Sequence, residues 1–272
     1  MDVVVGPRGY LTDYHFARHI RPSRPGVVRI DLSATAFVDP FGLAAVAAIV
    51  ENAAAGEQEV RFVDPADDDC RRYLHRMGLA DVLDSYGVPH ALTPVRRHAT
   101  GDRLLVLQRF NVVDTAADSL AEQVFRIFDA AGDARAGTLY DAVQEIAQNV
   151  VDHSDAGGGF IALQQFPRTN EVSFAVSDPG IGLRAALQKR HTVDSDGQSI
   201  ALAVARHVSS SGEDRRGIGL SSVVNHTRRS GRVQLWSGDS SGTFTKGRAS
   251  PRLTRHSSSF PGTVAQARLG VR

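Results

Sequence analysis

The chain has 272 residues, a formal net charge of +1 and 22% charged residues, so its overall charge favours neither nucleic acid nor an anionic membrane as a partner. Its single cysteine, Cys70, excludes an internal disulfide and favours a reducing compartment. The longest apolar run, residues 42–50, falls far short of the ~20 residues of a membrane helix, and Asp2, Pro7, Arg8 and Asp13 interrupt any signal-peptide core; a soluble cytoplasmic protein without membrane contact is expected.

A chain of this length suggests two domains, at roughly 100–200 residues each. From Val27 the pattern is α/β. Residues 27–32 alternate and are β-branched, as a strand would. An Ala-rich helix is predicted over residues 40–55, closed by Gly56, followed by a strand over 59–63 and a helix opening near Pro65 beneath Asp67, Asp68 and Asp69. This order gives a βαβα unit with a small parallel or mixed sheet. The run F-V-D-P-F-G-L-A-A-V-A-A-I-V, then E-V-R-F-V-D and L-H-R-M-G-L-A-D-V-L, resembles the STAS domain of anti-sigma-factor antagonists over residues 25–90. In phosphorylatable members of that family a hydroxyl residue precedes the turn glycine. Here the turn is Asp39-Pro40-Phe41-Gly42, and Phe41 cannot accept phosphate. The resemblance therefore implies a regulatory or docking module over residues 1–95, one that would engage a protein partner whose identity the sequence does not give.

Residues 88–102 lack helical or strand period and mark the domain boundary. A strand follows over 103–110. A helix over 114–131 places Leu120, Val124, Ile127 and Phe128 on one face, with Gly132 just past its end. The next helix, over 137–152, carries an apolar stripe of Leu139, Val143, Ile146 and Val150. A second stripe of Glu145, Asn149 and Asp152 lines up two carboxylates and a carboxamide. Such a row suits a magnesium–nucleotide site, since magnesium takes hard oxygen ligands and keeps waters that a carboxylate can deprotonate. The competing reading is an ordinary amphipathic helix with a wet polar face.

Residues 160–165 and 172–176 read as a hairpin that runs into Asp178-Pro179-Gly180-Ile181-Gly182, and a second glycine pair stands in Gly217-Ile218-Gly219-Leu220. Glycine allows close backbone approach to a ligand. The order E-x-x-x-N, D-x-G-x-G and G-x-G-L resembles the N, G1 and G2 boxes of the Bergerat-fold ATP-binding superfamily, which includes gyrase, MutL, heat-shock chaperone, histidine-kinase and anti-sigma-kinase members, the last group being the nearest. The resemblance covers residues 100–272 and implies a Bergerat-fold α/β sandwich. It further implies Mg2+ at Asn149, adenine read by Asp178, and Glu145 activating the attacking group. ATP contacts would come from Asp152, Gly180, Gly182, Gly217, Gly219, Leu220 and Thr263, with residues 183–216 as a lid that contains a short helix over 199–207. Thr263 follows Gly262 in a G-T pair whose hydroxyl would support Asp178 through water.

Alternatives stay open. Gly180-Ile-Gly182-Leu-Arg-Ala185 also fits the loose dinucleotide fingerprint of a nicotinamide-dependent oxidoreductase, although the preceding Asp-Pro fits it poorly. No Walker-type P-loop exists in the chain. His153, one residue past the Asp152 row, is expected to be packed or near phosphate, and no long heptad hairpin presents an acceptor histidine. Strands are predicted over 231–237 and 260–269, with residues 248–259 a solvated basic loop that gives nucleic acid little to bind. The expectation is an ATP-binding signalling protein, bacterial in type and free to form a homodimer. It would hydrolyse ATP or phosphorylate a Ser/Thr of a partner, or else act as an ATP-gated switch without turnover.

Overall fold

The computed structural model describes residues 1–6, 9–96, 103–205, 219–246, 248 and 250–270. The N-terminal half comprises β1 (Asp2–Val4), β2 (Gly9–Leu11), α1 (Phe16–His19), β3 (Ile20–Arg21), β4 (Val27–Asp31), β5 (Thr35–Val38), α2 (Pro40–Ala55), β6 (Glu59–Val63), α3 (Asp68–Arg76) and α4 (Leu79–Ser85). Its sheet is mixed and runs β3-β1-β4-β6, with β1, β4 and β6 parallel and β3 antiparallel. The first 21 residues add elements that the sequence pattern did not indicate.

Helix α2 starts where Asp39 accepts a hydrogen bond from the Gly42 N–H at 3.0 Å, with Pro40 at the first helical position. From Phe41 to Val50 no polar side chain interrupts it, and every one of those residues is buried. A helix apolar all round must be covered all round. The N-terminal sheet covers one side and the C-terminal sheet the other.

The C-terminal half comprises β7 (Leu104–Asn111), α5 (Ala116–Asp129), α6 (Ala136–His153), β8 (Gly158–Phe166), β9 (Glu171–Asp178), α7 (Gly182–Gln188), α8 (Asp196–Ala203), α9 (Gly219–Ser230), β10 (Gly231–Thr245) and β11 (Arg252–Leu269). The described strands form an antiparallel sheet in the order β10-β11-β9-β8-β7. Alternation along β8 sends Ile161 and Leu163 into one core with α5, α6 and α9, and Phe160 and Ala162 into another with α2. The result is an α/β sandwich whose second sheet face is closed by the N-terminal half. The predicted stripes of α5 and α6 do face the core: Leu139, Val143, Ile146 and Val150 are all buried.

Two expectations are corrected. The segment over 248–259 is not a loop along its whole length, because β11 begins at Arg252 and pairs with β10 at Thr243, Gly242, Ser241 and Ser240. Its side chains from Arg252 to Arg255 are exposed, so backbone pairing holds this arm and leaves a weak hydrophobic pattern to read. The start of the predicted lid is also ordered as helix, α7 following directly on the glycine turn. The short helix placed over 199–207 is α8 and begins earlier, where Ser195 caps the Gln198 N–H at 3.1 Å.

Candidate functional site

Asp178 ends β9 opposite Thr263 of β11. Only 5% of its surface is accessible. Its carboxylate accepts from the Gly180 N–H at 2.9 Å and from the backbone N–H of Thr263. Burial outweighs those two donors and pushes the carboxyl up to about 7. The residue behind it, Ser177, donates its hydroxyl to the Ala44 carbonyl of α2 at 2.7 Å. Asp178 is thus held between the glycine turn in front and the N-terminal half at its back.

The turn needs its glycines for packing. A Cβ on Gly180 would stand 2.0 Å from the Ser154 carbonyl oxygen, and one on Gly262 2.1 Å from that of Asp178. Gly182, at φ +75°, opens α7 in the left-handed region. Ser237 ties these pieces together: its Oγ accepts from the Leu183 N–H at 2.9 Å and donates to the Gly262 carbonyl at 3.0 Å. The Thr263 hydroxyl turns to Ser237 at 3.3 Å, while Thr263 reaches Asp178 through its backbone N–H. Ser237 was missed in the sequence because no motif announces a strand serine whose partners lie 54 and 25 residues away.

On α6 the predicted row is present. Asn149 donates its Nδ2 to the Glu145 carbonyl at 2.8 Å, which leaves its amide oxygen as the atom able to face a cation. Glu145 is half-buried, and burial together with Asp141 one turn earlier raises its carboxyl above the ordinary range. Asp152 is exposed and accepts from Gln148 at 2.8 Å. His153 is partly buried, and its burial lowers its basicity. Among the described residues no group of three or more His, Cys, Asp or Glu is placed to hold a metal ion. A magnesium ion here would rest on Asn149, on water and on phosphate oxygens, all of them the hard oxygen donors that magnesium takes.

Helix α6 contacts β9 and packs on α9, so the structure brings the Asn149 row, the Asp178 turn and Gly219 onto adjoining elements. Gly219 opens α9, and Leu220 packs against the core shared with α6. Gly217 lies outside the described residues. Beyond α7, Asp196 of α8 accepts from the Asp239 N–H at 2.7 Å, fastening this segment to the β10–β11 arm. The dinucleotide alternative loses its support here. Although Gly182 does open a helix, the strand before it is flanked by antiparallel neighbours on both sides, not by the parallel strands of a βαβ unit.

No helix among the described residues is long and apolar enough to cross a membrane. No curated protein and no solved structure matches the chain. Residues 134–262 match the family described as Histidine kinase-, DNA gyrase B-, and HSP90-like ATPase. The matched stretch takes in the whole of α6, the Asp178 turn, Gly217, Gly219 and Gly262, and stops one residue short of Thr263. Residues 134–262 therefore carry an ATPase domain of the histidine kinase, gyrase B and HSP90 type.

Proposed function

We propose that the protein is an ATP-dependent signalling protein in which Asp178 reads adenine, Asn149 holds Mg2+ and Glu145 activates the group that attacks the terminal phosphate. The observation that carries this reading is Asp178 itself, a buried carboxylate at a strand end that accepts from the backbone N–H groups of Gly180 and Thr263. A carboxylate so placed accepts from the exocyclic amine of adenine and leaves the keto group of guanine unsatisfied. Glycines 180, 182, 217 and 219, with Leu220, Thr263 and Asp152, would surround the nucleotide. Glu145 suits a general base because partial burial brings its basicity closer to neutrality. Calorimetry with Mg-ATP and Mg-GTP tests the binding step. Phosphate release, or phosphate transfer to a Ser/Thr of a partner, compared between wild type and Glu145→Ala, tests the chemistry. Activity untouched by that change removes Glu145 from the mechanism.

The N-terminal half, STAS-like in its sequence pattern, is read as a regulatory domain over residues 1–95 beside an ATP-binding domain over 100–272. Phe41 has no hydroxyl and is wholly buried against Phe16, which speaks against phosphate passing to this turn within the chain. A second reading, an ATP-gated switch without useful turnover, draws on the Asp196 contact to Asp239, through which a lid movement would reach the exposed arm. Nucleotide-dependent protection of residues 239–255 in hydrogen exchange, without phosphate release, would favour it.

A further inference from the structure

Away from the glycine turn, α6 and α9 enclose a cavity of about 120 Å3, lined by Thr138, Asp141, Gln144 and Glu145 on one side and by Val223 and Thr227 on the other. That volume is well above the roughly 10–15 Å3 that one water requires, and most of the lining is polar. Thr227 is wholly buried, and its hydroxyl has no hydrogen-bond partner among the described residues. A buried hydroxyl in a polar, roomy cavity takes its partner from water. Glu145, half-buried, and Asp141, exposed, stand four residues apart on the same helix, so both line the cavity from neighbouring turns. The cavity thereby joins the interior carboxylate to the surface.

We propose that this cavity is a water-filled proton path between Glu145 and bulk solvent, with Thr227 ordering its water and Asp141 forming its mouth. The proposal rests on the reading of Glu145 as the general base. In the hydrolytic step the oxygen of the attacking water bonds to the γ-phosphorus, and the bond from that phosphorus to the bridging oxygen breaks, its electron pair staying on ADP. The proton of the attacking water goes to the Glu145 carboxylate. Glu145 then passes it to the cavity water, Asp141 passes it on to bulk solvent, and Glu145 returns to its ionised form. The sum is ATP and water giving ADP, phosphate and a proton. Asp141 and Thr227 touch neither the nucleotide nor the attacking water in this scheme and act through Glu145.

The experiment is steady-state phosphate release with Mg-ATP for the full chain and for Asp141→Asn, Thr227→Val and Thr227→Ser, with Glu145→Ala as control, alongside a crystal structure that resolves waters. Asp141→Asn and Thr227→Val are expected to lower kcat by roughly tenfold with KM little changed, the pattern of a group that matters only in the reacting complex. Thr227→Ser, which keeps the hydroxyl, should restore kcat. The crystal structure should show a water about 3 Å from the Thr227 hydroxyl. Turnover abolished by Glu145→Ala yet unmoved by Asp141→Asn and Thr227→Val overturns this proposal alone, as does a dry cavity. A wild-type chain that binds ATP and releases no phosphate removes the hydrolytic reading and this proposal with it. Asp141 is exposed, so its variant keeps the test decisive if Thr227→Val fails to fold.

Discussion

Asp39 and Arg268 meet at 2.6 Å in the seam between the two halves, where Gln266 also donates to the same carboxylate oxygen at 3.0 Å. The other oxygen of Asp39 caps α2. A single wholly buried carboxylate thus starts the central helix and fastens it to the last strand. Asp13 joins the cluster by pairing with Arg232 and Arg268; burial and the nearby Asp39 push its carboxyl up to about 6 against the pull of both arginines. Removing Asp39 leaves Arg268 partly stranded and uncaps α2. Asp39→Ala is expected to cost about 3–5 kcal/mol of folding stability from the broken buried pair. Chemical denaturation measures it, and a loss below ~1 kcal/mol would mean that the seam is not anchored there.

The same seam predicts the behaviour of a separated C-terminal half. Phe160, Trp236, Phe260 and Val264 share one buried core with Phe16 and Phe41, and Trp236 packs edge-on to Phe16 with ring centroids 5.2 Å apart. Expressed alone, residues 100–272 would expose this contiguous apolar face, which soluble monomers rarely do. Self-association or aggregation is expected by light scattering. A monomeric fragment with a cooperative thermal transition would show that the N-terminal half is dispensable for folding.

Much of this arrangement was legible in the chain because it rests on local pattern. The apolar stripes of α5 and α6, the Asp39-Pro40 start of α2 and the hairpin into Asp178 all follow from spacing and caps within a few residues. What was not legible depends on pairing between distant segments. The arm over 252–255 is exposed on both faces, so no alternation betrays it. Ser237 gains its role only when β10, β11 and α7 have met, and Asp178 gains the Thr263 N–H only when β9 pairs with β11. A sequence window sees a turn at Asp178-Pro179-Gly180; the displaced basicity of its carboxyl belongs to the tertiary structure.

Gly262 offers a sharper test of the adenine end. It holds φ +83°, and an added Cβ would stand 2.1 Å from the Asp178 carbonyl oxygen and 2.6 Å from the Gly180 nitrogen. Both neighbours are backbone and cannot swing away. Gly262→Ala combines strain of about 1–3 kcal/mol with displacement of the Asp178 turn. ATP binding is expected to weaken by roughly tenfold, about 1.4 kcal/mol, in calorimetry, with circular dichroism confirming that the chain is folded. Unchanged affinity would separate this turn from the nucleotide.

Asp178 itself links stability, binding and pH. An unfolded carboxyl releases its proton near pH 3.8, whereas the folded one keeps it until about 7. Between these values the folded state binds more protons than the unfolded state, so stability falls as pH rises through the window and the loss is complete above about pH 7. The displacement corresponds to a cost on the order of 4 kcal/mol at neutral pH. Asp178→Asn, which removes the ionisation, should therefore raise neutral-pH stability and flatten its pH dependence, even as it weakens ATP binding. In the wild type, nucleotide binding should favour the ionised carboxylate that accepts from adenine, so affinity should fall as pH drops below 7 and binding there should release a proton. Calorimetry in buffers of different ionisation enthalpy reads that proton directly. An affinity flat from pH 6 to 8 with no proton released would mean that Asp178 does not meet the base.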